Sequence, residues 1–240
     1  MRVICLLILF CSLSSYGQKF HVVVGLAKPP YVIQDTNSGY EIELITQVLN
    51  KMGKEPNFVF VPFGRTARML NSDRVDSIMT VNSNLISNEN LLSDTYIIYQ
   101  NVVVTLKRNN YQLDNLDDLS KLSVAAFQNA NKILGESYAQ AIEKSPSYRE
   151  IANQKSQTKL LFTGKVQAVV MDINIFRALS HAVGGKEDFS DIDIHYVFPE
   201  SPYKMAFKDK SNIESFNQAL AQYKGSEHHT QLVNKYNLKR

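Results

Sequence analysis

Among the 240 residues, Glu41, Asp172 and Lys28 have the side-chain types for general acid or base work in a cleft whose surroundings shift their pKa values. No spacing singles one of them out, and no nucleophile stands in a recognisable arrangement with a base. The pair His228-His229 has metal-ligand chemistry, but neighbouring residues on a helix point in different directions and no other His or carboxylate falls at ligand spacing. It reads as a solvated helix end. Phe20 to Gly53 is the most informative stretch, coupling a Val-rich strand, a Pro-Pro-Tyr corner and a Gly-Tyr-Glu helix start. That order presents a binding cleft rather than a catalytic triad.

The elements that must hold such a cleft follow from periodicity. His21 to Leu26 reads as a strand, and Pro29-Pro30 then forbids further pairing and turns the chain. Ile42, Ile45, Leu49 and Met52 recur at helical spacing, with Gly53 as the stop. Asn57 to Val61 is a strand, Thr66 to Leu70 a short helix and Ser77 to Val81 a third strand. This alternation predicts a mostly parallel sheet with helices on its faces. A second cycle follows, with strands at Ser123 to Phe127 and Gln167 to Met171 and helices at Asn131 to Ile142 and Ile173 to Val183.

Two sheets are therefore expected. Asn101 to Lys107 and Lys204 to Lys208 are extended, apolar and free of turn residues, and are expected as two linkers that cross between lobes. The stripe Ile213, Phe216, Leu220 and Tyr223 marks a C-terminal helix returned to the first lobe. Lobe one is then discontinuous, residues 18 to 103 plus 204 to 240, with residues 104 to 203 inserted as lobe two. Two such lobes place their strand-end loops around a shared cleft, and the two crossings form a hinge.

At the N-terminus, Arg2, the apolar run Val3 to Leu13 and Ser14-Ser15-Tyr16-Gly17 have the order of an export signal. The run is too short to span a bilayer, which takes about 20 residues. Cleavage is expected near Gly17, giving an exported, soluble chain of roughly 220 residues held together by its cores. Cys5 and Cys11, the only cysteines, leave with the signal, so neither a disulfide nor a Cys-ligated metal is expected. The bulky Phe10 before Cys11 argues against lipid attachment. The formal charge of +3 falls to +2 without Arg2, and Lys and Arg are spread along the chain, which excludes an evident nucleic-acid surface.

Several short motifs recur in one order: Pro30-Tyr31, the helix start Gly39 to Leu44, Val75 to Met79, Ser93 to Tyr96, Leu116 to Leu119, and Gly164 to Asp172. In this order and spacing the chain, from about His21 to Leu238, resembles the bacterial periplasmic solute-binding proteins of the polar amino-acid type, solute-binding family 3. The resemblance implies an α/β, two-lobed periplasmic-binding-protein-like fold of type II, each lobe a mostly parallel sheet flanked by helices, with two crossing strands as hinge. It implies a periplasmic monomer that captures a small polar solute, an amino acid or a related compound, for an inner-membrane ABC permease or a sensor. No cofactor, metal or covalent chemistry is implied.

Carried over position by position, the family's contacts fall on Tyr31 and Phe63, which would sandwich the apolar part of the solute, and on Thr80 and Ser83 beyond the third strand. In the second lobe they fall on Gln128, Asn129 and Asn131 at a helix N-terminus suited to an anion, and on Asp172, where the family holds an ammonium. Each has a plainer reading. Tyr31 and Phe63 also suit core packing, Asp172 a helix N-cap, Asn129 and Asn131 turn chemistry, and Glu41 and Glu43 the first turn of a helix.

The chain departs from the family at the arginine that grips a solute carboxylate bidentately after the third strand. Between Asp76 and Tyr96 it has neither Arg nor Lys, and the matching position falls near Ile86 or Asn88. Lys28 and Arg65 are the cations that could substitute. Pro62-Phe63-Gly64-Arg65-Thr66 resembles a Pro-x-x-Arg-(Ala/Thr) element of stand-alone members of the family, which makes Arg65 the preferred anion partner; Gly64 before it lets the backbone turn closely at the cleft rim, and the plainer reading is a solvated helix face. A cyclohexadienyl-dehydratase-like enzyme on the same scaffold and a sensory receptor are the competing functions.

Overall fold

Val22, Val23 and Val24 are fully buried, as a central strand covered on both faces requires, and β1 (Phe20–Gly25) has β2 (Pro56–Val61) and β3 (Ser77–Val81) parallel on either side. The computed structural model describes residues 19–184 and 189–238; the expected export signal, residues 1–17, lies outside the described residues. Beyond β3 the first sheet continues with two antiparallel steps, through β10 (Ser201–Phe207) to β4 (Ile97–Tyr99), in the order β2-β1-β3-β10-β4.

The second sheet repeats that plan. Parallel β7 (Ser147–Ile151), β6 (Ser123–Phe127) and β8 (Ala168–Asp172) are followed by antiparallel steps to β5 (Asn101–Leu106) and β9 (Ile192–His195), in the order β7-β6-β8-β5-β9. Two five-stranded sheets flanked by helices make an α/β protein of two lobes.

The expected linkers are strands. Asn101 to Lys107 is β5 almost entirely, hydrogen-bonded between β8 and β9, and Lys204 to Lys208 overlaps β10 between β3 and β4. An apolar run without turn residues suits a crossing and a buried strand equally well. Val102, Val103 and Val104 are fully buried, and their backbone groups need partners on both sides. The expected lobe boundaries at 103/104 and 203/204 therefore cut through strands. The chain changes sheets at Gln100, between β4 and β5, and returns over residues 196–200. The two passages touch: Gln100 Nε2 donates to Asn101 O at 2.9 Å and to Phe198 O at 3.1 Å.

In the first lobe, α1 (Tyr40–Lys51) lays Ile42, Ile45 and Leu49 into the core. Its start requires Gly39, whose φ of 117° is left-handed and whose absent Cβ would lie 2.4 Å from Tyr31 O. The short α2 (Thr66–Met69) packs on β1 and β3. The second lobe carries α3 (Ala130–Ile133), α4 (Glu136–Glu143), α5 (Gln154–Phe162) and α6 (Ile173–Gly184). The single helix expected over Asn131 to Ile142 is thus two, broken at Leu134-Gly135, where Gly135 has φ 91°.

The C-terminal α7 (Ser211–Lys224) and α8 (Glu227–Tyr236) both pack on α1. Tyr236 OH accepts from Gly39 N at 2.9 Å and donates to Glu43, which also receives Lys235 Nζ at 2.8 Å. His229, expected on a solvated helix end, instead meets Tyr40 OH at 2.9 Å. No helix among the described residues is long and apolar enough to cross a membrane.

Candidate functional site

The corner after β1 brings Lys28 inward, 6% exposed, and its Nζ donates to Glu41 Oε1 at 2.5 Å, Thr80 Oγ1 at 2.9 Å and Tyr99 OH at 2.7 Å. Those are all three ammonium protons. Glu41 stands in the first turn of α1, as the sequence suggested, and is fully buried there. Besides Lys28, it accepts from Thr80 Oγ1 at 2.6 Å, and from Tyr96 OH and Tyr99 OH through short bonds. Its four acceptor positions are filled.

Burial holds the Lys28 ammonium below its usual pKa, with Glu41 opposing. Burial would raise Glu41, but Lys28 and the hydroxyl donors outweigh it and keep the carboxyl low. The pair is charged and closed on itself. Thr80 completes it from an unusual backbone: φ is 62°, a left-handed geometry that costs a β-branched residue on the order of 1–3 kcal/mol. The β3–β10 register shifts at the same place, between Lys204 and Ala206.

In the facing wall, Asp172 ends β8 and is 1% exposed. Its Oδ1 accepts from Asn174 N at 2.8 Å and Ile175 N at 3.0 Å in the first turn of α6, and its Oδ2 from Gln100 N at 3.0 Å. Burial pushes its carboxyl up to about 6, against the opposing pull of those N–H groups. Asp172 thus caps a helix and lines the cavity at once.

Gln154 opens α5 beside the capping side chain of Asn153, and its Oε1 is buried without a hydrogen-bond partner among the described residues. It too lines the cavity, a role its polar surroundings in the sequence do not signal.

Lys28, Phe63, Thr80, Gln128 and Asp172 line one cavity between the lobes, together with Tyr99, Phe127, Gln154 and Tyr203. Its volume is about 40 Å³, on the order of three water positions, so a larger solute needs the walls to draw back. Tyr31 is 2% exposed and stacks behind Tyr99 at 4.3 Å between ring centroids, forming the backing of the wall rather than its surface. Arg65 is exposed, makes no side-chain hydrogen bond or ion pair with the described residues, and lines no part of the cavity. Ser83 is likewise exposed in the turn after β3.

At the start of α3, the place expected for a solute anion is taken by Glu150 of β7. It accepts from Asn129 N at 2.7 Å, Asn131 N at 3.1 Å and Tyr148 OH at 2.9 Å. Asn131 is exposed, and Asn129 Nδ2 reaches only Phe63 O, at 3.5 Å. The rim is bridged elsewhere. Gly64 N donates to Gln128 Oε1 at 3.0 Å, Asn82 and Asn84 both donate to Ile133 O, and Asn174 Nδ2 donates to Tyr31 OH at 3.1 Å.

A model of the bacterial extracellular solute-binding proteins, family 3, matches residues 20–239. No curated protein matches the chain. Among solved structures, a histidine kinase sensor domain with similarity to periplasmic binding proteins superposes with a TM-score of 0.77 at 17% identity, over 92% of this chain and 96% of its own. A mutant of ArgBP from T. maritima gives 0.75 at 20% identity, over 91% and 95%. An ancestral amino acid-binding protein, a precursor of cyclohexadienyl dehydratase, gives 0.73 at 18%, over 91% and 94%. At these identities the structural likeness is one of fold. With the family match running through both sheets and the cavity between them, the chain belongs to the bacterial extracellular solute-binding proteins, family 3.

Proposed function

We propose that the protein is an exported receptor that captures a small polar solute between its lobes in the periplasm and hands it, unchanged, to an ABC permease or a sensor. The observation that carries this is the cavity between the lobes, lined by polar groups of both and bridged at its rim from Gly64 to Gln128. Family membership and the amino acid-binding character of the ancestral neighbour support a solute of amino-acid size. The sensor-domain neighbour supports the sensing branch as much as another neighbour, the substrate binding protein of an amino acid ABC transporter, supports delivery.

Titration calorimetry on protein stripped of co-purified solute tests this. A saturable response to amino acids, amines, peptides or small carboxylates is expected, and a flat response to all of them sinks the receptor reading. One observation favours a second reading, an enzyme like the dehydratase whose precursor shares the fold: a carboxyl pushed up to about 6, Asp172, stands in the cavity as a general acid would. Incubation with prephenate and arogenate separates the two. No product is expected, and turnover abolished by Asp172→Asn would replace the receptor with the enzyme.

A further inference from the structure

The charge inventory of the cavity narrows the solute. The cation lining it, Lys28, gives all three of its protons to Glu41, Thr80 and Tyr99 and has none left for a solute carboxylate. The other candidate cation, Arg65, is exposed and outside the cavity. The side-chain amide donors still open in the cavity are neutral, those of Gln128, whose Oε1 is held by Gly64, and of Gln154.

What the cavity offers instead is acceptors among aromatic side chains. Gln154 Oε1 is a buried acceptor with no partner among the described residues, and such an atom is destabilising unless a donor reaches it. Asp172 adds the one acidic group that is not paired with a cation, and Phe63, Tyr99 and Tyr203 surround them with aromatic surface. An unpaired acceptor and a carboxyl group among aromatic side chains together favour a cation that carries N–H groups. A solute carboxylate would be buried without a counter-charge.

We infer that, given the receptor reading above, the solute is a small amine or similar N–H-bearing cation with no carboxylate, one proton accepted by Gln154 Oε1 and the charge facing Asp172. Gln154 is thereby a specificity-determining residue of the site.

Calorimetric titration of the stripped protein with pairs that differ only in the α-carboxylate tests this: agmatine against arginine, tyramine against tyrosine, cadaverine against lysine, histamine against histidine. At least one amine is expected to bind about tenfold or more tightly than its amino acid. An amino acid that equals or exceeds its amine overturns the assignment and leaves the receptor standing. Binding confined to peptides or small carboxylates does the same. Silence across all of these overturns both.

For the best amine, Gln154→Leu should weaken binding about tenfold, and Gln154→Glu should restore or exceed the original affinity because a carboxylate accepts the same proton and adds charge. Unchanged affinity in Gln154→Leu, in a variant that melts as the parent does, removes Gln154 from the site.

Discussion

In the first lobe's wall, the three donors of Lys28 and the four acceptor positions of Glu41 are used up between the pair itself and Thr80, Tyr96 and Tyr99, whereas the second lobe's wall leaves Gln154 Oε1 without a partner among the described residues. Both walls are rich in polar side chains, yet only one has capacity to spare. A polar residue at a cleft is therefore not evidence of recognition until its own hydrogen bonds have been counted. The first wall is a polar scaffold; the second is where a solute can add something.

The largest test of that contrast is Lys28→Met, which strands Glu41 as a buried, uncompensated charge. It should lower unfolding free energy by about 3–5 kcal/mol in urea titrations. Adding Glu41→Gln should return much of the loss, because the unpaired charge and not the missing attraction is the main cost. A small effect of Lys28→Met alone would show the network to be an ordinary surface pair.

Asp172 gives the next effect, through pH. Its folded-state carboxyl titrates near 6 against an ordinary 3.8, so the native state holds this proton more firmly than the unfolded chain. The stability it contributes is complete below about pH 4 and is lost as pH rises through 6. The difference is about 3 kcal/mol. Asp172→Asn removes that slope, so the variant should gain on the parent between pH 4 and 7 in matched urea titrations. Parallel curves would place the carboxyl in an ordinary environment.

Glu150→Gln should cost about 1–2 kcal/mol, because a charged acceptor for two backbone N–H groups becomes a neutral one. Faster hydrogen exchange at Asn129 and Asn131 is its local signature. Smallest of all, Arg65→Ala should change stability by no more than about 0.5 kcal/mol and leave solute affinity unaltered. A loss of affinity would put Arg65 back in the site.

The alternation of strands and helices, the two-sheet plan and the start of α1 at Gly39 were legible because each rests on local periodicity or on a local backbone need. Partner choice was not. Nothing within Asn101 to Lys107 says which sheet its buried valines join, since a single residue, Gln100, separates β4 from β5. β7, with the sequence Ser-Tyr-Arg-Glu-Ile, is an edge strand whose half-exposed pattern hid it, and Glu150 was hidden with it.

Lys28 and Glu41 were both visible as side chains of interest. Their pairing was not, because it depends on the corner between them folding back. The Arg65 expectation rested on a resemblance and on a glycine that lets the backbone turn, and Gly64 does approach the opposite lobe closely; its partner there is Gln128, with Arg65 left outside. Gln154 had no signal at all: a glutamine after a capping asparagine looks like any solvated helix start.

Gln100 turns these local details into mechanics. Its backbone N–H holds Asp172, and its side chain ties the two passages together, so this carboxylate is mounted on the pivot itself. The bridge from Gly64 to Gln128 hangs from β2, at the opposite edge of its sheet from β4, on the order of 20 Å of strand spacing away. A body turning about a pivot sweeps least beside it and most at its far edge. In the receptor proposed above, the pivot side of the cavity would therefore meet a solute while the lobes stand apart, and the far edge would work as a latch whose strength sets the dwell time.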